Sequence, residues 1–309
     1  MKNNNKKLLI LLIGMTFLLT GCAKTMKDKD NKVVTYDKTG QTITENILCR
    51  PTNNDVIKIY EDNKVNIDKL VECEDFKITS GGYEGLWTSI FVKPLAWLVI
   101  KIGNLINSYG ASILIVSLLI RLVTFPITKK TAMQSENMKK AQPELEKLEK
   151  KYKNKPKDDQ QVMMQKTQEQ LAIYKKHNIN PMSGCLFSLL QIPVFFAFLE
   201  AVNRVPALFE GTFLGLHLGT NPIVALAKGQ YYYLILIALI ILTTYYSFKL
   251  NATASSPDQE KQMKFMTRFM IIFISIASFS LPTAIAIYWI ASSLFTIAQN
   301  LWVKRKGAR

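Results

Sequence analysis

The sequence is poor in the side chains that usually carry out chemistry. Its 309 residues hold two histidines and four cysteines, and none has the Cys-x-x-Cys or His-x-x-x-His spacing of a metal site. There is no Gly-x-x-x-x-Gly-Lys-Ser/Thr loop to cradle a phosphate and no His-Glu-x-x-His to hold a hydrolytic zinc, so neither a metal nor a cofactor is expected. Acid is scarce as well, with 23 Asp and Glu against 39 Lys and Arg, a formal net charge of +16. What the chain has is grease, 49% hydrophobic residues with only 20% charged. The apolar residues gather into a few long stretches with the charges between them, which is the segregation a bilayer solvent demands. Disordered, collagen-like and disulfide-scaffold classes are excluded.

Residues 1–21 read as a lipoprotein signal peptide. Lys2, Lys6 and Lys7 precede the apolar stretch Leu8 to Leu19, which is too short to span comfortably. It closes in Leu19-Thr20-Gly21-Cys22, similar to a bacterial lipobox; that resemblance implies cleavage before Cys22 and a lipid on its thiol, with the mature N-terminus outside. Residues 22–85 form a polar, extracellular segment whose ten basic and twelve acidic residues contrast with the basic whole. Cys49 and Cys73 lie in it and could either pair or remain free thiols. Residues 86–108 read as an interfacial amphipathic helix, with Ser89, Lys93, Lys101, Asn104, Asn107 and Ser108 on one arc and Trp87 and Trp97 as anchors. Ile90, Trp97 and Ile100 intrude on that arc, which keeps a tilted span as the alternative.

Five spans are expected in a core of residues 109–303, at 109–128, 182–202, 231–250, 265–281 and 283–303, the last two separated only by Pro282. The segment 129–181 carries 13 Lys, whereas the loop from Asn203 to Gln230 has one Arg and one Lys, so the first is placed in the cytoplasm. The basic tail at residues 304–309 then falls inside too. Within 129–181, Ala141, Leu145, Leu148 and Tyr152, then Met164, Leu171 and Tyr174, recur at helical spacing on either side of a Lys155 to Asp159 turn. They predict a charged helical hairpin, with Pro143 expected to kink or restart its first arm. Its lysines read either as a solvated face or as a contact for a ribosome, lipid headgroups or an emerging chain.

Arg121 is the leading candidate for function. About 12 Å of helix separates it from Lys129, and an arginine at mid-span costs roughly 2.5 to 3.5 kcal/mol on insertion scales. Such a residue lines a wet cavity, finds a partner, or snorkels to the headgroups. Glu200, near the far end of the second span, is the only acid within any of the five. Ser117, Gln191 and Trp289 are the other polar-capable groups near mid-span.

Four blocks carry a resemblance. Arg121-Leu-Val-Thr-Phe-Pro126, Asn180-Pro-Met-Ser-Gly-Cys185, Leu190-Gln-Ile-Pro-Val-Phe195, and Leu281-Pro-Thr-Ala-Ile-Ala-Ile-Tyr-Trp289 leading to Ser293-Leu-Phe-Thr-Ile-Ala-Gln299 together resemble the YidC membrane protein insertases, relatives of the mitochondrial and chloroplast insertases. The match covers residues 86 to 303, and the lipobox is typical of the Gram-positive branch. The resemblance implies an all-α polytopic membrane protein, five transmembrane helices around a hydrophilic groove, with an interfacial amphipathic helix and a cytoplasmic helical hairpin. It implies that Arg121 makes the groove positive and that substrate helices slide past Ser117, Gln191, Ile192, Phe195 and Trp289. The implied partners are nascent membrane proteins, the bilayer, the Sec translocon and the ribosome, with no specific nucleic acid. Phe187, Ile271 and Ser247-Phe248 depart from the residues usual in the family. A transporter would want ion ligands or an acid relay, an intramembrane protease paired Asp or Ser with His, and neither is visible. A passive lipoprotein anchor is the third rival.

Overall fold

The computed structural model describes residues 23–156, 159–180, 183–251 and 257–307, and only the backbone of 183–190, 251, 257–263 and 306–307; the signal stretch, Cys22 and Met182 lie outside the described residues. The chain is mostly helical. A two-strand hairpin, β1 (Thr35–Tyr36) and β2 (Gln41–Thr42), precedes α1 (Asn54–Asp62). A π-helical turn at Thr88–Val92 leads into α2 (Lys93–Ile106), then α3 (Tyr109–Tyr152), α4 (Gln160–Lys176) and α5 (Ser183–Arg204). Short α6 (Pro206–Phe209), a second hairpin of β3 (Thr212–Phe213) and β4 (Leu216–His217), and α7 (Pro222–Ala227) follow. The chain finishes with α8 (Leu234–Asn251), α9 (Pro257–Ser278) and α10 (Thr283–Gly307).

Among the described residues, four stretches are long and apolar enough to cross a membrane, Thr88–Ile106, Tyr109–Tyr152, Tyr231–Leu250 and Thr283–Arg305. The first is the segment read as an interfacial helix, so by length and composition it meets the terms of the tilted-span alternative. Helices α5 and α9, which overlap the second and fourth expected spans, have 22 residues each, and α9 ends at Ser278, short of the expected 281.

The chain divides into two compact units. One comprises residues up to Ser117 with Ile192–Leu236 and Phe279–Tyr288. Its polar N-terminal segment has its own core, where Met26, Tyr36, Ile43, Val56, Tyr60 and Ile67 pack with Phe209. Burial in that core pushes the Tyr60 hydroxyl well above the usual phenol range, and the group donates to the Thr44 carbonyl at 2.8 Å. Cys49 and Cys73 are joined by a disulfide, with Cα atoms 4.9 Å apart. Gln41 Nε2 donates to Asn203 Oδ1 at 2.8 Å, and the Thr52 hydroxyl to Glu210 at 2.8 Å. Gly110 has the closest constraint here, since a Cβ on it would meet the Phe213 side chain at 2.2 Å.

A charged cluster ties this segment to α2 and α5. Arg204, 1% exposed, gives Nη1 to Glu200 at 3.0 Å, Nη2 to Glu84, and Nε to the Asn46 carbonyl at 2.6 Å. Glu200 also accepts from Trp87 Nε1 at 2.8 Å. Lys93, again 1% exposed, pairs with Glu84 at 3.2 Å and donates to the carbonyls of Ser80 at 2.7 Å and Gly82 at 2.5 Å. Two cations face two carboxylates, and the spare donors find carbonyls, the condition under which buried charge is tolerated. This corrects two sequence readings. Lys93 does not lie on an exposed polar arc, and Trp87 is a buried donor to Glu200 instead of a headgroup anchor.

The second unit comprises Leu118–Gln191, Ile237–Ser278 and Trp289–Arg309. In it α4 folds back on the end of α3 as a helical hairpin, burying Ala141 and Leu145 against Tyr174 and Ile179. Asp159 caps α4 by accepting from Gln161 N at 2.8 Å. Pro143 does not restart the first arm, because α3 runs unbroken through Pro126 and Pro143. The buried contacts of Ala141 and Leu145 hold the helix on both sides of that proline. Lys151 and Glu169, Lys166 and Glu149, and Lys176 and Glu144 pair across the arms at 2.6 to 2.9 Å.

Two measurements follow. Arg204→Met leaves Glu200 without a cation and Glu84 with Lys93 alone, at a cost of about 3 to 5 kcal/mol, and should sharply lower the detergent melting temperature, whereas Lys38→Ala, which removes the exposed pair with Asp55, should leave it unchanged. In the hairpin, Lys176 and then His177 hold the Glu144 carboxyl below its usual range, and Lys151 and then Tyr152 do so for Glu169. Both groups bind protons less readily folded than unfolded, so their stabilisation is complete above the ordinary Glu range and drains as pH falls through the lowered folded values. Spin labels on Lys147 and Ala172 should keep one narrow separation from about pH 7 to about 5.5 and broaden by about 3.5.

Candidate functional site: a buried arginine on a seam of two parallel helices

Helix α3 is inverted relative to a helix of a water-soluble protein. Leu118, Leu119, Leu122 and Val123 are exposed, Val123 at 81%, while Ser112, Ser117, Arg121 and Thr128 are buried. The same reversal holds on α8, with Thr243 and Thr244 buried and Ile235, Leu239 and Leu242 exposed, and on α10, with Ser292, Gln299 and Asn300 buried and Leu294 and Trp302 exposed. Apolar outside and polar inside is the stable arrangement when the surrounding solvent is hydrocarbon.

Within the second unit, α3 and α10 meet along a seam. Arg121 Nε donates to Ser292 Oγ at 2.7 Å, Phe125 sits edge-on to Phe295 with centroids 6.3 Å apart, and the Thr128 hydroxyl donates to Gln299 Oε1 at 2.8 Å. The two hydrogen bonds share one sequence offset, 171 residues, so the helices run parallel. The contacts recur at i, i+4 and i+7 on α3 and at i, i+3 and i+7 on α10, one face of each helix. Arg121 is 8% exposed on that face. Trp289, half-buried one turn earlier on α10, gives its indole N–H to Thr244 Oγ1 on α8 at 2.9 Å. Asn300 Nδ2 is buried with no hydrogen-bond partner among the described residues, an unmet donor in the same polar interior.

The 60Kd inner membrane protein family model matches residues 101–309. This chain belongs to that family. Among its relatives, "Membrane protein insertase YidC" of Oceanobacillus iheyensis is 33% identical over 224 residues, 72% of this chain and 85% of that one. "Membrane protein insertase MisCA" of Bacillus subtilis is 35% identical over 219 residues, 71% of this chain and 79% of the other. The fold is similar to a solved structure titled "Active YidC insertase crystal structure with the first transmembrane domain resolved", with a TM-score of 0.52 and 22% identity over 79% of this chain. The chain spans about half the length of that solved chain, 52%.

Against the insertase family's expected groove residues, the second unit holds Arg121 and Trp289 on the polar faces just described, and Gln191, half-buried at the end of its segment. Ser117, Ile192 and Phe195 belong to the first unit. The Ser117 hydroxyl donates to the carbonyl of Ile113 on its own helix at 2.5 Å, Ile192 is 50% exposed, and Phe195 packs on Tyr288 with centroids 6.4 Å apart. Glu200, the one acid within an expected span, has Oε1 committed to Arg204 and Oε2 to Trp87. Sequence reasoning missed Ser292, Thr244 and Thr128 as partners. Ser292 and Gln299 share the i, i+7 spacing of Arg121 and Thr128, and that matching period was the available signal.

The Trp289 to Thr244 bond is testable by a double-mutant cycle. Trp289→Phe and Thr244→Val should each lower stability in detergent by about 1 kcal/mol, and the double variant should lose clearly less than their sum.

Proposed function

We propose that this chain is a membrane protein insertase, which receives nascent hydrophobic segments in a cationic groove open to the cytoplasm and passes them laterally into the bilayer. It would act alone or beside the Sec translocon, on segments supplied by the ribosome. In this reading the chain is a multi-pass cell membrane lipoprotein anchored outside through Cys22. Its core spans at 109–128, 182–202, 231–250, 265–281 and 283–303, and the hairpin 129–181 and tail 304–309 lie in the cytoplasm. The segment 86–108 rests at the outer interface, and Ser117, Gln191, Ile192, Phe195 and Trp289 line the guest's path.

The observation that carries the reading is Arg121, buried in a membrane-length helix with its Nε on the neutral hydroxyl of Ser292. An arginine stays protonated in proteins, so the seam carries a fixed positive charge within reach of an anion. A client helix with a short acidic flank must move polar groups through hydrocarbon, at several kcal/mol for each unsatisfied backbone group. A polar indentation partway through the bilayer shortens that passage. Arg121 draws the acidic flank, apolar side chains at Ile192, Phe195 and Trp289 touch the greasy segment, and partition into lipid draws the helix sideways. No step uses a nucleotide or a covalent intermediate.

The test is depletion of the protein and rescue with wild type, Arg121→Lys or Arg121→Ala at equal protein levels, reading insertion of a small single-span client with an acidic tail. Lysine should restore insertion, and alanine should leave it about tenfold down, the equivalent of ~1.4 kcal/mol of lost attraction. Full insertion with alanine would remove Arg121 from the mechanism. A solute-uptake phenotype with normal insertion would favour a transporter.

A further inference from the structure

A hollow in the second unit has no role in the account above. It measures about 330 Å³ and is walled by Leu122, Phe125, Phe295, Ala298, Gln299 and Trp302. Aromatic and aliphatic carbon makes up nearly all of its wall, and its one polar residue, Gln299, has its Oε1 occupied by the Thr128 hydroxyl. The hollow therefore suits hydrocarbon. It opens on the exposed apolar side of the seam, where Leu122 is 57% exposed and Trp302 38%.

One end of the hollow is cationic. Lys129 holds its Nζ 5.5 Å from the centroid of the Trp302 ring, and Lys130, Lys304 and Arg305, close to it or to Trp302 in sequence, are exposed. No Asp or Glu occurs between Leu118 and Ser135 or between Trp289 and Arg309. Leu122 and Phe125 precede Lys129 by about 6 to 10 Å of helix, the depth at which an acyl chain begins below its own phosphate. Tryptophan at that boundary, apolar on one side and facing a cation on the other, is a residue suited to a lipid headgroup region.

We propose that this hollow is a binding site for an anionic phospholipid, one acyl chain between Phe125, Phe295 and Trp302 and the phosphate at Lys129 and Lys130. The observation that selects this occupant is charge complementarity. A neutral lipid would leave Lys129, held over Trp302 at one end of the hollow, without an anion, and a client helix would not need an anionic group at a fixed depth beside it. The inference rests on the proposed topology, which places this rim in the cytoplasmic leaflet, but not on transport of any client. The lipid would contact Leu122 and Phe125 about one turn beyond Arg121 toward Lys129, so it would brace the end of the seam next to the arginine.

The experiment uses the full chain in vesicles containing a minor fraction of phospholipid brominated in its acyl chains, which quenches nearby tryptophan. The contribution of Trp302 is the difference between wild type and Trp302→Phe. That contribution should be about fivefold more sensitive to brominated phosphatidylglycerol than to brominated phosphatidylcholine. The preference should vanish in the Lys129→Gln/Lys130→Gln double variant, and all selective quenching should vanish in Ala298→Phe, which fills the hollow. Equal quenching by the two lipids, or a preference that survives both variants, overturns the site. Protection of Trp302 from both lipids together with cross-linking between copies would assign the hollow to a second copy of the chain and also overturn it. No client is present, so failure here leaves the insertase reading intact, and failure of the Arg121 rescue leaves this one intact.

Discussion

The structure depends on placing polar side chains where hydrocarbon cannot reach them. On α3, α8 and α10 the buried faces hold Arg121, Thr128, Thr243, Thr244, Ser292, Gln299 and Asn300, and the exposed faces are Leu, Ile, Val and Trp. In water this pattern would be unstable, since exposed leucine and isoleucine gain nothing and buried threonine costs desolvation. In lipid the signs reverse. Hydrophobic association between the helices then contributes little, and packing with interhelical hydrogen bonds must hold the seam. The Arg121 to Ser292, Thr128 to Gln299 and Trp289 to Thr244 bonds are the pieces of that adhesive on this chain.

Two buried arginines show how the same side chain serves two ends. Arg204 is surrounded by Glu84, Glu200 and the Asn46 carbonyl, so its charge is matched and its fork of donors is saturated. That is a fastening, joining the polar N-terminal segment to the end of α5, and the geometry of the guanidinium fork is what it uses. Arg121 rests its Nε on a neutral hydroxyl instead. In the proposed mechanism the positive charge is the useful property there, so an ammonium should substitute more readily at Arg121 than at Arg204.

Much of this was legible in the sequence, for reasons that can be named. Apolar runs reveal helices because hydrocarbon enforces them, and Ala141, Leu145 and Tyr174 revealed the hairpin through their period. Arg121 stood out because charge in such a run is costly. The helical pattern could not reveal that Lys93 would be buried, since its partner Glu84 lies in a coil segment with no periodicity. Trp87 misled for a related reason: a tryptophan near an apolar run fits a headgroup anchor equally well, and only Glu200, 113 residues away, decides otherwise. The family's motif blocks located Gln299 within a pattern, but its hydroxyl donor Thr128 had to come from packing. The signal stretch and Cys22 remain a reading of sequence alone.

The continuity of α3 through two prolines follows from where its support lies. Pro126 cannot donate to the Leu122 carbonyl, and Pro143 cannot donate to that of Lys139, so each removes a rung that would ordinarily cost about 3 kcal/mol or more in an unsupported helix. Each gap is flanked by tertiary contacts. Around Pro126 the seam contributes Phe125 against Phe295 and Thr128 against Gln299, and around Pro143 the hairpin core contributes Ala141 and Leu145. The helix is supported from its sides as well as by its own ladder. Its 44 residues are thereby unbroken helix, carrying at one level the arginine and at another the charged hairpin. The sites that most weaken it are the sites at which its neighbours grip it.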